Sequence, residues 1–280
     1  MAIDIEKPLP LMVGNKAYYS LTSYDPVEIT VEVPYSTNED IEMGLTMTLR
    51  DLGGSPDDLN NPSWVSEHFE GLTTPNQVRE AIRQQMNAMN AQIAEEQKLG
   101  KCVEALVGRL KQAVPSQHVE QAKEAVRMRF TQQLQAEGMT PQQFMQRTRT
   151  TPAQLEAMFD RQAQQMVEGD AALSAYAHEK KLKVDEHEYS RLLGISPQDL
   201  EQVKEQARAV GQLDQLHEAA LRAKAAQAVV AECSCTYHHE TPEQARARVA
   251  QYRRMQEMLG NDEPADDQPS GEGKTGFKLV

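Results

Sequence analysis

The chain has 280 residues, a formal net charge of −13, 39% hydrophobic residues and 5% aromatic residues. This acidic balance lacks the basic patches with which proteins bind nucleic acid and anionic membrane surfaces, so both are excluded as partners. No stretch approaches the roughly 20 apolar residues of a membrane helix, and the start lacks the pattern of a signal peptide. Three cysteines form no disulfide framework. We therefore expect a cytoplasmic protein with a thin core.

Strand signals are concentrated at the amino terminus. The alternating residues Val27, Ile29, Val31 and Val33, closed by Pro34, predict a short strand or extended segment. Capping residues at 36–40 predict a helix over about 38–52, which the glycines at 53 and 54 end. A short turn of helix is expected over 64–69.

One capping motif recurs along the chain, in which Ser or Thr is followed by Pro and then, three residues after the hydroxyl, by Gln or Asp. Its hydroxyl can accept a hydrogen bond from a free backbone N–H, and Pro suits the first helical position. The motif resembles a proline-directed phosphorylation site, but its repetition ahead of amphipathic runs favours helix capping. It begins at Ser55, Thr74, Thr140, Thr151, Ser196 and Thr241.

The pattern from Thr74 to about Leu259 is helical throughout. One apolar stripe predicts a helix from Val78 to about Gln112 with a bend at Gly100. Later helices are predicted over about 115–137, 151–181, 185–193, 197–209, 212–231 and 242–259, with a short helix between Thr140 and Thr151. We divide the chain into an extended segment with a linker-like helix (1–72), a helical domain (73–240), an additional helix (241–260) and a disordered acidic tail (261–280).

Long helices with few aromatics indicate arms rather than a densely packed bundle. The chain has 13 methionines, and taken together their flexible, polarizable side chains suit surfaces that accept varied partners, although any single methionine more often fills an ordinary helix core. Several apolar residues crowd two predicted helices and the segment between them. As residues that contact other polypeptides we predict Met128, Phe130, Met139, Phe144, Met145, Met158, Phe159 and Met166.

Catalytic and metal-binding patterns are weak. Cys233, Cys235, His238 and His239 carry zinc-binding side chains, but their spacing departs from structural zinc sites. There is no phosphate-binding Gly-rich loop and no nucleophile elbow. We expect neither a metal nor another cofactor, and we assign no catalytic residue.

Several junctions resemble the carboxy-terminal chaperone domain of the trigger factor family. They are the segment Phe69–Arg79, which leads through a Thr-rich cap into a long helix, Val114-Pro115, Glu137–Thr140 and Lys181–Glu188. The resemblance covers about residues 64–238. It implies a mostly α-helical, long-helix, arm-bearing chaperone domain preceded by a short extended or strand segment.

Two parts of trigger factor are not visible in the sequence. There is no Gly-Phe-Arg ribosome-docking loop, and the space between Val33 and Trp64 is too short for an FKBP-like domain of about 100 residues. Ribosome docking and isomerase activity therefore do not carry over from the resemblance.

The resemblance implies an ATP-independent holdase that binds unfolded or nascent polypeptides and is not an enzyme. One alternative is a helical adaptor or assembly factor for one dedicated partner. Another is a prolyl isomerase, which rests on the family name alone. The sequence leaves a homodimer open.

Overall fold

The computed structural model of the chain describes residues 7–13 and 16–259, and most of them are helical. The predicted fold class, mostly α with short amino-terminal strands, is confirmed. The elements are β1 (Leu11–Val13), β2 (Lys16–Tyr18), β3 (Glu28–Val33), α1 (Asn38–Asp51), a 3-10 turn (Pro56–Asn60), α2 (Pro62–His68), α3 (Pro75–Gly108), α4 (Ser116–Ala136), α5 (Pro141–Thr148), α6 (Pro152–Glu179), a second 3-10 turn (Glu186–Glu188), α7 (Tyr189–Leu193), α8 (Leu200–Ala209), α9 (Leu213–Glu232), β4 (Ser234–His239) and α10 (Pro242–Leu259).

The capping motifs set the starts of α3, α5, α6 and α10 and of the first 3-10 turn. At Thr151 the hydroxyl accepts from the Gln154 backbone N–H at 3.2 Å, while the Gln154 side chain accepts from the Thr151 N–H at 2.8 Å. The motifs at Ser55, Thr74, Thr140 and Thr241 also close reciprocal bonds or begin a helix at the following proline. The hydroxyls of Thr74, Thr140, Thr151 and Thr241 therefore accept from free N–H groups at helix starts, as the capping prediction requires. The Ser55 hydroxyl instead donates to the Asp58 carboxylate at 2.8 Å.

At Ser196 the hydroxyl accepts from the Asp199 N–H at 3.2 Å, but the helix begins later than predicted. A helix predicted from Pro197 begins only at Leu200. The Ser196 carbonyl accepts from the N–H groups of both Asp199 and Leu200 at 3.1 Å, so the motif closes a tight turn before the helix instead of its first turn. The predicted start is therefore wrong by three residues.

Two compact units each combine separate stretches of chain. The first contains the described residues up to Ile29 together with Lys98–Cys235, and the second contains Thr30–Gln97 together with the described residues from Thr236 onward. In the second unit, α1, α2 and the start of α3 enclose a core of Ile41, Leu45, Leu49, Leu59, Val65, Phe69, Val78 and Ile82. The four consecutive segments drawn from the sequence stay a prediction about domain organisation.

A strand interrupts the region predicted to be wholly helical. β4 forms a two-stranded sheet with β3. Ser234 donates its backbone N–H to the Val27 carbonyl at 2.9 Å, and Glu240 donates to the Val33 carbonyl at 3.0 Å. The strand over 234–239 lies between the helices predicted at 212–231 and 242–259 and was not predicted, because it forms by pairing with a strand about 200 residues away in sequence.

The apolar stripe of α3 is only partly a core stripe. The helix contains 34 residues, continues through Gly100 and ends at Gly108. Val78 and Ile82 are fully buried, but Met89 and Ile93 remain about 40% exposed, at 42% and 40%. The acidic tail predicted from residue 261 lies outside the described residues.

Candidate binding surface on the arm

A helical hairpin of the first unit carries all eight residues predicted to contact other polypeptides. We call it the arm and define it as residues 116–167, which contain α4, α5 and the first part of α6. Packed between its helices are Ala122, Val126, Leu155, Phe159 and Ala163, with Val119, Phe130, Phe144, Met145, Met166 and Val167 partly buried around them. The arm thus has a small apolar core of its own.

Three aromatic rings join the helices of the arm. The Phe130 ring lies 5.1 Å from that of Phe144 and 5.3 Å from that of Phe159, both edge to face. Such pairs contribute about 0.5–1.5 kcal/mol each beyond area burial. Phe130 therefore links α4 to both α5 and α6 and fixes the geometry of the hairpin.

Ion pairs cross between α4 and α6 on the surface of the arm. Lys123 Nζ lies 2.5 Å from Asp160 Oδ1, and an Arg127 guanidinium nitrogen lies 2.7 Å from Glu156 Oε2. Hydrogen bonds from Arg127 and, secondarily, Lys123 hold the pKa of Glu156 below its usual range. The pairs fix the register of the two helices, although solvent screening limits what each contributes to stability.

Left-handed backbone conformations end the helices near the turns of the arm. Gly138 follows α4 with φ 68°, and Arg149 follows α5 with φ 53°. Glycine adopts this region without strain, which explains why α4 ends there. A shallow depression of ≈ 550 Å³ at this turn is lined by Glu137, Gly138, Met139, Gln143, Gln146 and Arg147.

The predicted contact residues fall into three classes of exposure. Met128 on α4 is 63% exposed and Met158 on α6 is 41% exposed. Phe159 is 3% exposed and belongs to the arm core. The half-buried remainder comprises Phe130, Met139, Phe144, Met145 and Met166. Phe159 therefore supports the surface from within and has almost no side-chain area open to a partner.

Sequence reasoning missed apolar surface outside the arm. In the second unit, Met43 and Met47 on α1 are 59% and 60% exposed. They are spaced by four residues, as are the buried Ile41 and Leu45, but they lie on another face of the helix. This second apolar stripe is the sequence signal that could have identified the exposed surface on α1. In the first unit, Leu9 and the three β1 residues are also exposed.

Two further searches concern metals and membranes. Within residues 7–13 and 16–259, no cluster of three or more His, Cys, Asp and Glu side chains is arranged to hold a metal ion. No helix in the same part of the chain is both long and apolar enough to span a bilayer.

Paired long helices, a small core within the hairpin and exposed methionines define a mostly α-helical, arm-bearing protein. Residues 74–231, more than half of the chain, match the family described as bacterial trigger factor protein (TF) C-terminus. The chain therefore belongs to the trigger factor C-terminal family, which supports a role of the chaperone type. The match lies within the segment whose junctions carry the resemblance. A search of curated proteins found no match.

Proposed function

We propose that the protein is an ATP-independent holdase whose arm binds apolar segments of unfolded or nascent polypeptides. The observation that carries this proposal is the exposure of Met128 and Met158, at 63% and 41%, on the two long helices of the arm. Membership of the trigger factor C-terminal family supports the same role.

Methionine suits this task because its unbranched side chain adapts to irregular apolar partners. Each Å² of apolar surface removed from water contributes about 25 cal/mol. A contact patch of a few hundred Å² therefore contributes several kcal/mol, from which the cost of ordering the bound chain is subtracted. The result is reversible capture through several weak contacts, without a defined pocket.

Capture acts on aggregation through mass action. A chaperone that binds the unfolded form lowers its free concentration, and aggregation depends steeply on that concentration. The net charge of −13 favours encounter with basic clients and disfavours self-association. No step requires ATP hydrolysis or a covalent change, so we propose that the protein is not an enzyme. We also propose that it acts in the cytoplasm.

The test is suppression of aggregation with several unrelated denatured proteins. Chemically denatured rhodanese, citrate synthase and luciferase are diluted into buffer with equimolar full-length protein, and light scattering is recorded. We expect suppression for all three, without ATP. Protection of none, together with one tight partner recovered from cells, contradicts the holdase and favours a dedicated adaptor.

A second assay separates the proposal from the prolyl isomerase alternative. A proline-containing peptide is incubated with the protein, and its cis-to-trans conversion is followed. We expect the uncatalysed rate. Acceleration proportional to protein concentration contradicts the proposed absence of catalysis.

A further inference from the structure

An apolar stripe on α1 stays open to solvent within the described residues of the second unit. Met43 and Met47 lie four residues apart on this helix and are 59% and 60% exposed. The face of α1 that enters the core carries Ile41, Leu45 and Leu49 instead. We call Met43 and Met47 the α1 stripe. The proposed capture of unfolded chains by the arm does not use it.

The surface beside the α1 stripe is acidic. Glu39 and Glu42 lie in the turn before it, and both are exposed. Glu42 also pairs with Arg79 at 2.6 Å, but its side chain remains 54% exposed. Residues four apart on a helix are neighbours, so Glu39 lies beside Met43. The basic residue of α1, Arg50, is in the last turn. A segment that fits this surface therefore combines apolar side chains with cations.

One segment beyond the described residues has this composition. The sequence that follows α10 is rich in Asp, Glu, Pro and Gly, and its large apolar residues are Phe277, Leu279 and Val280. Its two basic residues are Lys274 and Lys278, whereas its acidic residues all come earlier. The segment 274–280 therefore has the opposite charge to the surface around the α1 stripe and supplies apolar side chains for it.

The segment is long enough to reach the α1 stripe of its own chain. A cavity of ≈ 420 Å³ in the second unit is lined by Glu39 of α1 and Ala250 of α10, among others, so the two helices lie side by side there. About 14 Å of helix lead from Ala250 to Leu259, and about 12 Å of α1 lead from Glu39 to Met47. Residues 260–276 span up to about 55 Å when extended, which exceeds both lengths and the width of the cavity together.

We propose that the segment 274–280 folds back and covers the α1 stripe of the same chain. Phe277 and Leu279 pack against the two methionines, whose sulfur atoms make favourable contacts with aromatic rings. The long stems of the two lysines let their ammonium groups reach the carboxylates beside the stripe.

Both partners of this contact belong to one chain, so the effective concentration of the segment at the stripe is of the order of mM and a weak contact is enough. Docking closes the α1 stripe to unfolded clients and leaves the arm as the open apolar surface. It does not depend on the proposed holdase activity.

The test measures how fast hydrogen peroxide oxidises individual methionines of the full-length protein, with peptide mass spectrometry as the readout. Peroxide adds one oxygen to an accessible thioether. A segment that covers the stripe for about two-thirds of the time slows this reaction about threefold. Met43 and Met47 should therefore oxidise about threefold faster in the double variant Phe277→Ser/Leu279→Ser than in the unmodified protein. Met128 on the arm is the internal reference and should oxidise equally fast in both.

Two further variants separate the contribution of charge from other changes in the same part of the sequence. Lys274→Glu/Lys278→Glu reverses the charges that face α1 and should also accelerate oxidation of the stripe. Asp266→Asn/Asp267→Asn is the matched control, because it changes two charges but keeps the segment 274–280, and it should leave the rate unchanged. Circular dichroism of each variant checks that the fold is retained.

Three results would overturn the proposal. The first is equal oxidation of Met43 and Met47 in the unmodified protein and in Phe277→Ser/Leu279→Ser. The second is protection that disappears on dilution, which would assign the covering segment to a second copy of the chain. The third is an equal acceleration at Met128, which would place the segment on the arm. The measurement needs no client, so a failed aggregation assay would leave its outcome unaffected.

Discussion

Replacing Met128 and Met158 by glutamine is expected to weaken capture of an unfolded chain about four- to twelvefold. Glutamine keeps a similar side-chain length but adds a polar amide, and at exposed positions such changes usually alter folding stability by less than about 0.5 kcal/mol. Full burial of a methionine side chain contributes about 1.5–3 kcal/mol. The two residues are 63% and 41% exposed, so complete coverage by a client would contribute about 1.5–3 kcal/mol in total. A client that covers half of this area gives about 0.8–1.5 kcal/mol, which corresponds to about a four- to twelvefold change in Kd.

The assay is fluorescence anisotropy of a labelled polypeptide that stays unfolded under native buffer conditions. A matched control replaces Met43 and Met47 by glutamine, since these residues are 59% and 60% exposed and lie on α1 in the second unit. We expect the control to bind within twofold of the unmodified protein. An arm variant that binds within twofold, or a control that loses as much affinity as the arm variant, would refute the assignment of capture to the arm.

Three further predictions concern the stability of the fold. Phe159→Ala removes a ring that is 3% exposed in the arm core, so the free energy of unfolding in urea should fall by about 3–5 kcal/mol, and a loss below about 1 kcal/mol would contradict its packing. Thr151→Ala removes a capping hydroxyl and should lower the same free energy by about 1 kcal/mol; an unchanged value would show that the cap is unimportant. A hydrogen bond from the Lys224 ammonium, and secondarily one from the Asp185 backbone N–H, holds the pKa of Glu188 below its usual range. Ionised Glu188 therefore stabilises the fold at neutral pH. This contribution is lost as the pH falls from about 4.3 through the folded-state pKa. Urea midpoints of Glu188→Gln and the unmodified chain should therefore differ at pH 7 and converge towards pH 3, whereas a difference that is constant with pH would contradict the ion pair.

The helical part of the fold could be predicted because its signals are local. The motifs at Thr140 and Thr151 contain both the hydroxyl and the glutamine that close the capping box, only three residues apart. Gly138 supplies the left-handed residue that ends α4. The ends of the arm helices therefore follow from a few neighbouring residues.

The strand pairing depends on a partner that is distant in sequence. Residues 234–239 form a strand because they pair with β3, and no pattern within the segment indicates which strand it pairs with. Periodicity describes one element at a time and carries no information about which other element it meets.

The sequence identified the helices that carry the candidate surface, but it showed only in part which of the predicted residues are exposed. Met128 lies off the Val126, Phe130 and Leu134 stripe, and its exposure agrees with that position. Phe159 is buried because rings from α4 and α6 meet across the hairpin, and spacing along α6 alone does not reveal that contact. Exposure depends on the neighbouring helix as well as on the helix itself.

The most direct test of the account is methionine methyl NMR of the full-length protein during titration with an unfolded polypeptide. Labelling the methionine methyl groups with ¹³C gives separate reporters on the arm and on α1, and single Met→Leu variants assign them. The account predicts that the signals of Met128 and Met158 shift or broaden as the polypeptide is added, while those of Met43 and Met47 stay unchanged. Changes confined to Met43 and Met47, or no change at polypeptide concentrations where aggregation is suppressed, would contradict capture by the arm.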